Sequence, residues 1–285
     1  MRERLFPRWG AALFALLPLS ELLYLPVGGQ TMYAAALASL VCALLCAGAA
    51  RLAPILHRNA ALQWIPAVLA VWPLVRSLAR MGTFLQHTVF PARPLWSLIL
   101  LLTVCALLSA TAGLDRCAMW ALPIAWLAGV VPVISGVLTL GELQIAHCVP
   151  PNATLLPQTA AILRALLPAA LTVALSLPDG LGGAAARGLG AGGALLALLS
   201  LRSLLLLGPH TAALLPYPNF SAAGLASIGT FARHGEVFFA VPLLLCELGR
   251  CAALACALLL PLTRSYGVMH LPNRRESPES DKKQG

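Results

Sequence analysis

Residues 9–29 read WGAALFALLPLSELLYLPVGG. This run carries a single charge, Glu21, and a central proline, Pro18. A bilayer core about 30 Å thick needs about 20 apolar residues of helix. The stretch therefore reads as a membrane span with a polar flaw built into it. Arg2, Arg4 and Arg8 precede it like the basic flank of a secretory leader. The run ends, however, in Tyr24-Leu25-Pro26 and not in a small-x-small cleavage site, so a retained helix is expected.

Seven further apolar runs follow, at about 31–50, 62–80, 94–112, 117–139, 160–178, 187–208 and 236–262. The 285 residues are 59% hydrophobic and 10% charged, with a mean hydropathy of +0.84. Soluble domains carry about 25% charged residues. A cytosolic enzyme, a disordered protein and a disulfide scaffold are thereby excluded. The expected fold is an all-α integral membrane protein of about eight spans. Residues 1–263 form one polytopic domain, and 264–285 form a polar, disordered cytoplasmic tail.

The net charge of +9 comes from 17 Arg and 2 Lys against 10 acidic residues. These basic residues are scattered between apolar runs without interleaved aromatics, which speaks against a nucleic-acid partner. Their distribution instead sets topology. With the amino terminus in the cytoplasm, twelve lie inside (Arg2, Arg4, Arg8, Arg51, Arg58, Arg116, Arg187, Arg264, Arg274, Arg275, Lys282, Lys283). Four lie outside (Arg76, Arg80, Arg93, Arg233). Both termini are then cytoplasmic. Residues 76–93, with three arginines on the outer side, are expected to form a broken or interfacial helix.

Pro18 and Pro168 sit near the centres of the first and sixth runs. A proline inside a helix removes one backbone hydrogen bond. At membrane depth, freed backbone groups are tolerated only beside protein or a polar cavity. Inverted-repeat transporters place interrupted helices at corresponding positions of their two halves, around a midplane site. Pro18 and Pro168 are thus expected to mark two such interruptions.

Glu21, Arg202, Glu247 and Arg250 are charged positions within apolar runs, costing about 2.5–3.5 kcal/mol each at a helix centre on insertion scales. Glu247 and Arg250 are three apart, on one helical face. Arg202 lacks a partner on its own helix, and Glu21 is its natural counter-ion. Such charges either bind a ligand or ion, or pair helices structurally. Gly188, Gly190 and Gly193 match G-x-G-x-x-G, but without a preceding strand this is no dinucleotide site. Gly188 and Gly192 as G-x-x-x-G predict close helix packing. No C-x-x-C pair occurs among eight cysteines, and no H-E-x-x-H or G-x-S-x-G is present. No enzyme, cofactor or metal site is expected.

Two stretches carry a resemblance. One is Pro216-Tyr217-Pro218, then Ser227-Ile228-Gly229-x-Phe231, then Glu236-Val237-x-Phe239, with Arg250 fourteen residues beyond Glu236. The other is Phe84-Leu85-x-x-Thr88-Val89-x-Pro91-x-x-Pro94-Leu95-Trp96, followed by Asp115. Together they resemble the permease subunits of spore germinant receptors, of the amino acid–polyamine–organocation superfamily, over residues 9–266. The resemblance implies an incomplete five-plus-five inverted-repeat bundle of the LeuT type in a bacterial cell membrane or spore inner membrane. It implies a small germinant, an amino acid, as ligand, with a larger membrane subunit and a lipoprotein subunit as partners. It places the pocket between the first and sixth helices, with the third and eighth nearby. The site expected is Pro18, Ser20 and Glu21 with Leu167, Pro168 and Ala169, walled or gated by Glu247 and Arg250.

This chain departs from that family at several points. Ala170 and Leu171 stand where the family's sixth helix has glycine and glutamate, Cys246-Glu247 replaces a glycine pair, and Thr230 replaces an aspartate. The chain is expected to be shortened, with eight helices for ten. Two other functions stay open: a stand-alone amino-acid transporter of the same superfamily, and a degenerate membrane scaffold that transports nothing.

Overall fold

A computed structural model describes residues 2–59, 61–148, 150, 152–177, 181–225 and 235–269. Among them there are ten α-helices and no strand: α1 (Arg2–Glu21), α2 (Thr31–Ala49), α3 (Ala53–Arg58), α4 (Trp64–Thr88), α5 (Leu95–Thr111), α6 (Leu114–Leu138), α7 (Leu155–Ser176), α8 (Gly182–Leu214), α9 (Pro218–Gly224) and α10 (Gly235–Met269). Each apolar run lies on one long helix to within a residue or two, except the first, 9–29, whose residues from Leu22 onward are not helical. Six of these (α2, α4, α6, α7, α8 and α10) are long and apolar enough to cross a bilayer, and α5 is a shorter apolar helix. The chain is an all-α membrane protein.

A helix that is apolar all round belongs in the interior, and α1 takes that place. Phe14, Leu16, Leu17 and Leu22 are wholly buried, and α1 packs on α6, α7, α8 and α10. The outer helices show the reverse pattern. Trp72, Trp126, Val68, Val130 and Ile134 on α4 and α6 are exposed, as helices facing lipid tails require.

Close packing of α8 rests on its glycines. A Cβ on Gly188 would lie 2.1 Å from the Ala11 carbonyl oxygen, and one on Gly192 would lie 2.6 Å from both the Ala15 oxygen and the Pro18 ring. This is the approach expected of the G-x-x-x-G spacing. A Cβ on Gly193 would meet Ser39 of α2 at 2.1 Å, so α8 is wedged between α1 and α2.

Several expectations are corrected. Residues 76–88 are not broken: α4 runs through them to Thr88, because its buried face continues with Ser77, Leu78, Met81 and Phe84. Helices α1 and α7 pass through Pro18 and Pro168 without interruption. Each proline removes a single bond from the ladder, and the Pro18 ring is accommodated against Gly192. The sharp break falls elsewhere in α8, at Gly208 (φ 74°, ψ 158°) followed by Pro209. Proline at 209 withdraws the N–H that the Leu205 carbonyl would have received. That carbonyl is taken instead by the Gln144 backbone N–H at 3.1 Å and approached by His147 Nδ1 at 3.1 Å. At its far end, α10 continues past Arg264 to Met269, with no proline before Pro272 to stop it. The rest of the expected tail, 270–285, and the motif residues Ser227 to Phe231 lie outside the described residues.

Candidate functional site

Helix α1 ends at Glu21, and its end is buried. The following residues make a turn, closed by Leu22 N–H to the Leu19 carbonyl and Tyr24 N–H to the Glu21 carbonyl. The chain then runs non-helically through Leu25–Gly28 to α2. Leu22, Leu23, Leu25 and Val27 are all buried along this path, so irregular backbone lies inside the bundle. Such backbone must find its partners within the protein. One is Asn219 of α9, whose Nδ2 donates to the Leu22 carbonyl at 2.6 Å.

Glu21 stands at this end and is shared by two arginines. Arg80 of α4 reaches it with Nη2 at 2.8 Å from Oε2. Arg250, near the middle of α10, pairs with Oε1 through Nη1. The same Nη1 donates to the Ser20 hydroxyl at 3.2 Å and lies 3.8 Å from Glu247 Oε2. Arg250 Nη2 donates to the Ala165 carbonyl of α7 at 3.1 Å. Two carboxylates and two guanidiniums thus form one neutral cluster joining α1, α4, α7 and α10. Glu247 is wholly buried, and neither of its oxygens has a hydrogen-bond partner.

Arg80 differs from Arg250 in its access. Its side chain is 21% exposed while that of Arg250 is 1% exposed. Arg80 lies over the Tyr24 ring, 4.2 Å from its centroid, a distance at which a guanidinium is attracted by the ring face. Tyr24, Phe84, Tyr217 and Phe220 then stack edge to face, with the Phe84–Tyr217 centroids 4.9 Å apart. This aromatic cluster brings together the Pro216-Tyr217-Pro218 stretch and the one that starts at Phe84.

Above Glu21 and Arg80 lies a cavity of about 440 Å³, walled by the irregular stretch Tyr24–Gly28, by Arg76 and Arg80 of α4, and by Gln158, Ala161, Ile162 and Ala165 of α7. Three buried polar atoms at its wall have no partner: Tyr24 OH, Arg80 Nη1 and Gln158 Oε1. Arg76 has no carboxylate partner among the described residues. The wall therefore carries an excess of positive charge, two unused donors (Tyr24 OH and Arg80 Nη1) and one unused acceptor (Gln158 Oε1), an arrangement suited to an anionic group beside a donor of the same ligand.

Of the residues singled out from sequence, Ser20, Glu21, Glu247 and Arg250 are brought together in the ion cluster, and Glu21 alone among the eight lines the cavity. Pro18 packs against Gly192. Leu167 and Pro168 are half-buried in continuous α7 and Ala169 is wholly buried. The cavity meets α7 about one to three turns earlier, at Gln158–Ala165. Glu21 does not pair with Arg202. Arg202 donates instead to the hydroxyls of Thr139 (3.2 Å) and Ser135 (2.8 Å) and to the Ala222 carbonyl (3.5 Å). The reason is position: α1 stops level with α10's centre, while Arg202 lies toward the far end of α6.

Sequence reasoning missed Arg76, Arg80, Tyr24 and Gln158. The available signal was the spacing of Arg76 and Arg80, four apart and so on one helix face. Among the described residues no group of three or more His, Cys, Asp or Glu is placed to hold a metal ion. Compared with protein-family models and with curated proteins, the chain matches none.

Proposed function

We propose that this chain is the membrane subunit of a spore germinant receptor, sensing a small amino acid in the cavity above Glu21 and passing the signal on by conformational change, without chemistry. The observation that carries the reading is the irregular, buried end of α1 beside Arg76 and Arg80. There a zwitterion's carboxylate meets unpaired guanidinium donors, and its ammonium meets Glu21. A carboxylate that takes Arg80 leaves Glu21 to Arg250 alone, and that exchange tells α10 that the cavity is filled. The resemblance of the Tyr217 and Phe84 stretches supports the same reading, since both lie at the cavity's aromatic flank.

In this reading the eight long helices are eight spans with both termini in the cytoplasm of a bacterial cell or spore inner membrane. They form five plus three helices of an inverted repeat, with α1 and α7 as counterparts. The larger membrane subunit and the lipoprotein subunit are its partners. One observation favours a second reading, a scaffold that binds no small molecule: α7 is unbroken at Pro168 and offers no polar side chain there.

Thermal stability of the purified full chain across a panel of amino acids tests both. A ligand at 100 times its Kd raises stability by about 2.7 kcal/mol. A stabilising amino acid whose effect is lost in Arg76→Gln supports the receptor reading, as does failure of spores lacking the gene to respond to that amino acid. No shift with any amino acid supports the scaffold. Saturable uptake into vesicles by the chain alone would point to a stand-alone transporter.

A further inference from the structure

A second cavity, of about 660 Å³, lies on the flank of the bundle between α1, α6 and α8. Its direction can be read from the packing. Gly188 and Gly192 of α8 face Ala11 and Ala15 of α1 in the same order, and Gly129 and Gly136 of α6 face Leu195 and Arg202 of α8 in the same order. The three helices therefore run parallel. Arg8, Leu122 and Arg187 stand at the beginning of the groove, and Ile134 and Leu195 at its end.

The groove's chemistry is divided along that axis. Beyond the first turn every lining residue is apolar, from Ala11, Ala12 and Ala15 on one wall to Trp126, Val130 and Val133 on the other. Trp126, Val130 and Ile134 are exposed, so the groove opens sideways from the bundle, on the most exposed of its candidate spans. Leu122 to Ile134 covers about 18 Å of helix at 1.5 Å per residue. One leaflet of the hydrocarbon core is about 15 Å deep, half of about 30 Å. The groove is one leaflet long.

Among the described residues its mouth carries two positive charges and no negative one. Arg8 and Arg187 are both exposed, and neither has a carboxylate partner among the described residues. Arg187 is steadied by its Nε donating to the Gly183 carbonyl at 3.1 Å, which leaves both Nη groups to face a ligand. Arginine forks match phosphate oxygens in pairs.

We infer that this groove is a binding site for one anionic phospholipid, its acyl chain lying between α1, α6 and α8 and its phosphate held by Arg8 and Arg187. The site is independent of the cavity above Glu21, because no residue lines both.

The test uses the full chain in nanodiscs or detergent, with phosphatidylglycerol and phosphatidylcholine of identical acyl chains, read by native mass spectrometry. The expected result is one retained phosphatidylglycerol, bound about tenfold or more tightly than phosphatidylcholine, from two arginines near a headgroup. Arg8→Gln/Arg187→Gln should abolish the preference while leaving acyl binding. Arg51→Gln/Arg58→Gln, an equal loss of exposed charge elsewhere, should leave the preference intact. Gly129→Leu should block both lipids: a Cβ there meets only Leu195 Cδ1, at 3.7 Å, so the fold survives while the groove fills. Equal binding of the two lipids by the unmodified chain would overturn the inference. So would an equal loss of preference in the Arg51/Arg58 variant, or cross-linking of Val130→Cys to a second copy in place of lipid capture.

Discussion

Replacing Arg250 by methionine should be among the most damaging single changes in this protein. The substitution keeps a long flexible side chain but removes one of two cations from a four-charge cluster. Glu21 keeps Arg80 at 2.8 Å. Glu247 loses its only ion pair among the described residues, Arg250 at 3.8 Å, while wholly buried and with neither oxygen hydrogen-bonded. The Ser20 hydroxyl and the Ala165 carbonyl lose a donor as well. Stranding a charge by removing its buried partner costs about 3–5 kcal/mol, whereas losing a screened surface pair costs about 0–1 kcal/mol. Restoring neutrality should restore most of the stability. Arg250→Met/Glu247→Gln is expected to recover all but about 1–3 kcal/mol, the share owed to the lost hydrogen bonds of a charged donor. Reversible unfolding of the three proteins in mixed detergent measures both steps. A single variant within about 1 kcal/mol of the parent, or a double variant as weak as the single, would refute the idea that uncompensated charge governs this site.

Further outcomes are expected elsewhere. Gly188→Ala should cost about 1–3 kcal/mol through overpacking against the Ala11 carbonyl, while Gly190→Ala, with nothing within 4 Å of its Cβ, should change stability by less than about 0.5 kcal/mol; paired melts settle the contrast. Arg202→Met should cost less than Arg250→Met, because Arg202 has only neutral acceptors around it and no buried carboxylate is stranded; the same unfolding assay ranks them. In sealed vesicles a membrane-impermeant maleimide should label Cys148, which is exposed, ahead of the buried Cys42, Cys46, Cys246 and Cys251; equal labelling of all five would contradict the packing.

The long helices were legible because hydropathy over some twenty residues is a local property; the exception is the first run, whose residues from Leu22 onward leave the helix. That some buried charges would pair was also legible, since Glu247 and Arg250 share a face three residues apart. Which charge finds which was not. Glu21 is 229 positions from Arg250, and the pairing depends on where α1 stops relative to α10, a matter of packing depth and not of spacing. Arg80 read as a topology marker because α4 outlasts its apolar run, and nothing in residues 76–93 announces that Ser77, Met81 and Phe84 keep one face buried. The prolines misled for a different reason. Proline removes one hydrogen bond wherever it falls, but a helix breaks only where the neighbouring backbone can also turn, and Gly208 supplies that freedom beside Pro209 while Leu17 and Leu167 do not.

The buried end of α1 changes the electrostatic count at the cluster. By formal charge Glu21, Glu247, Arg80 and Arg250 cancel. The last carbonyls of α1, however, lie at the negative pole of a helix macrodipole, equivalent to roughly half an elementary charge. The arginines therefore answer to more negative charge than the two carboxylates carry. In the proposed reading, an anion that takes Arg80 draws it away from a side chain and a helix terminus together, which would couple occupancy to the position of α1 as a whole rod.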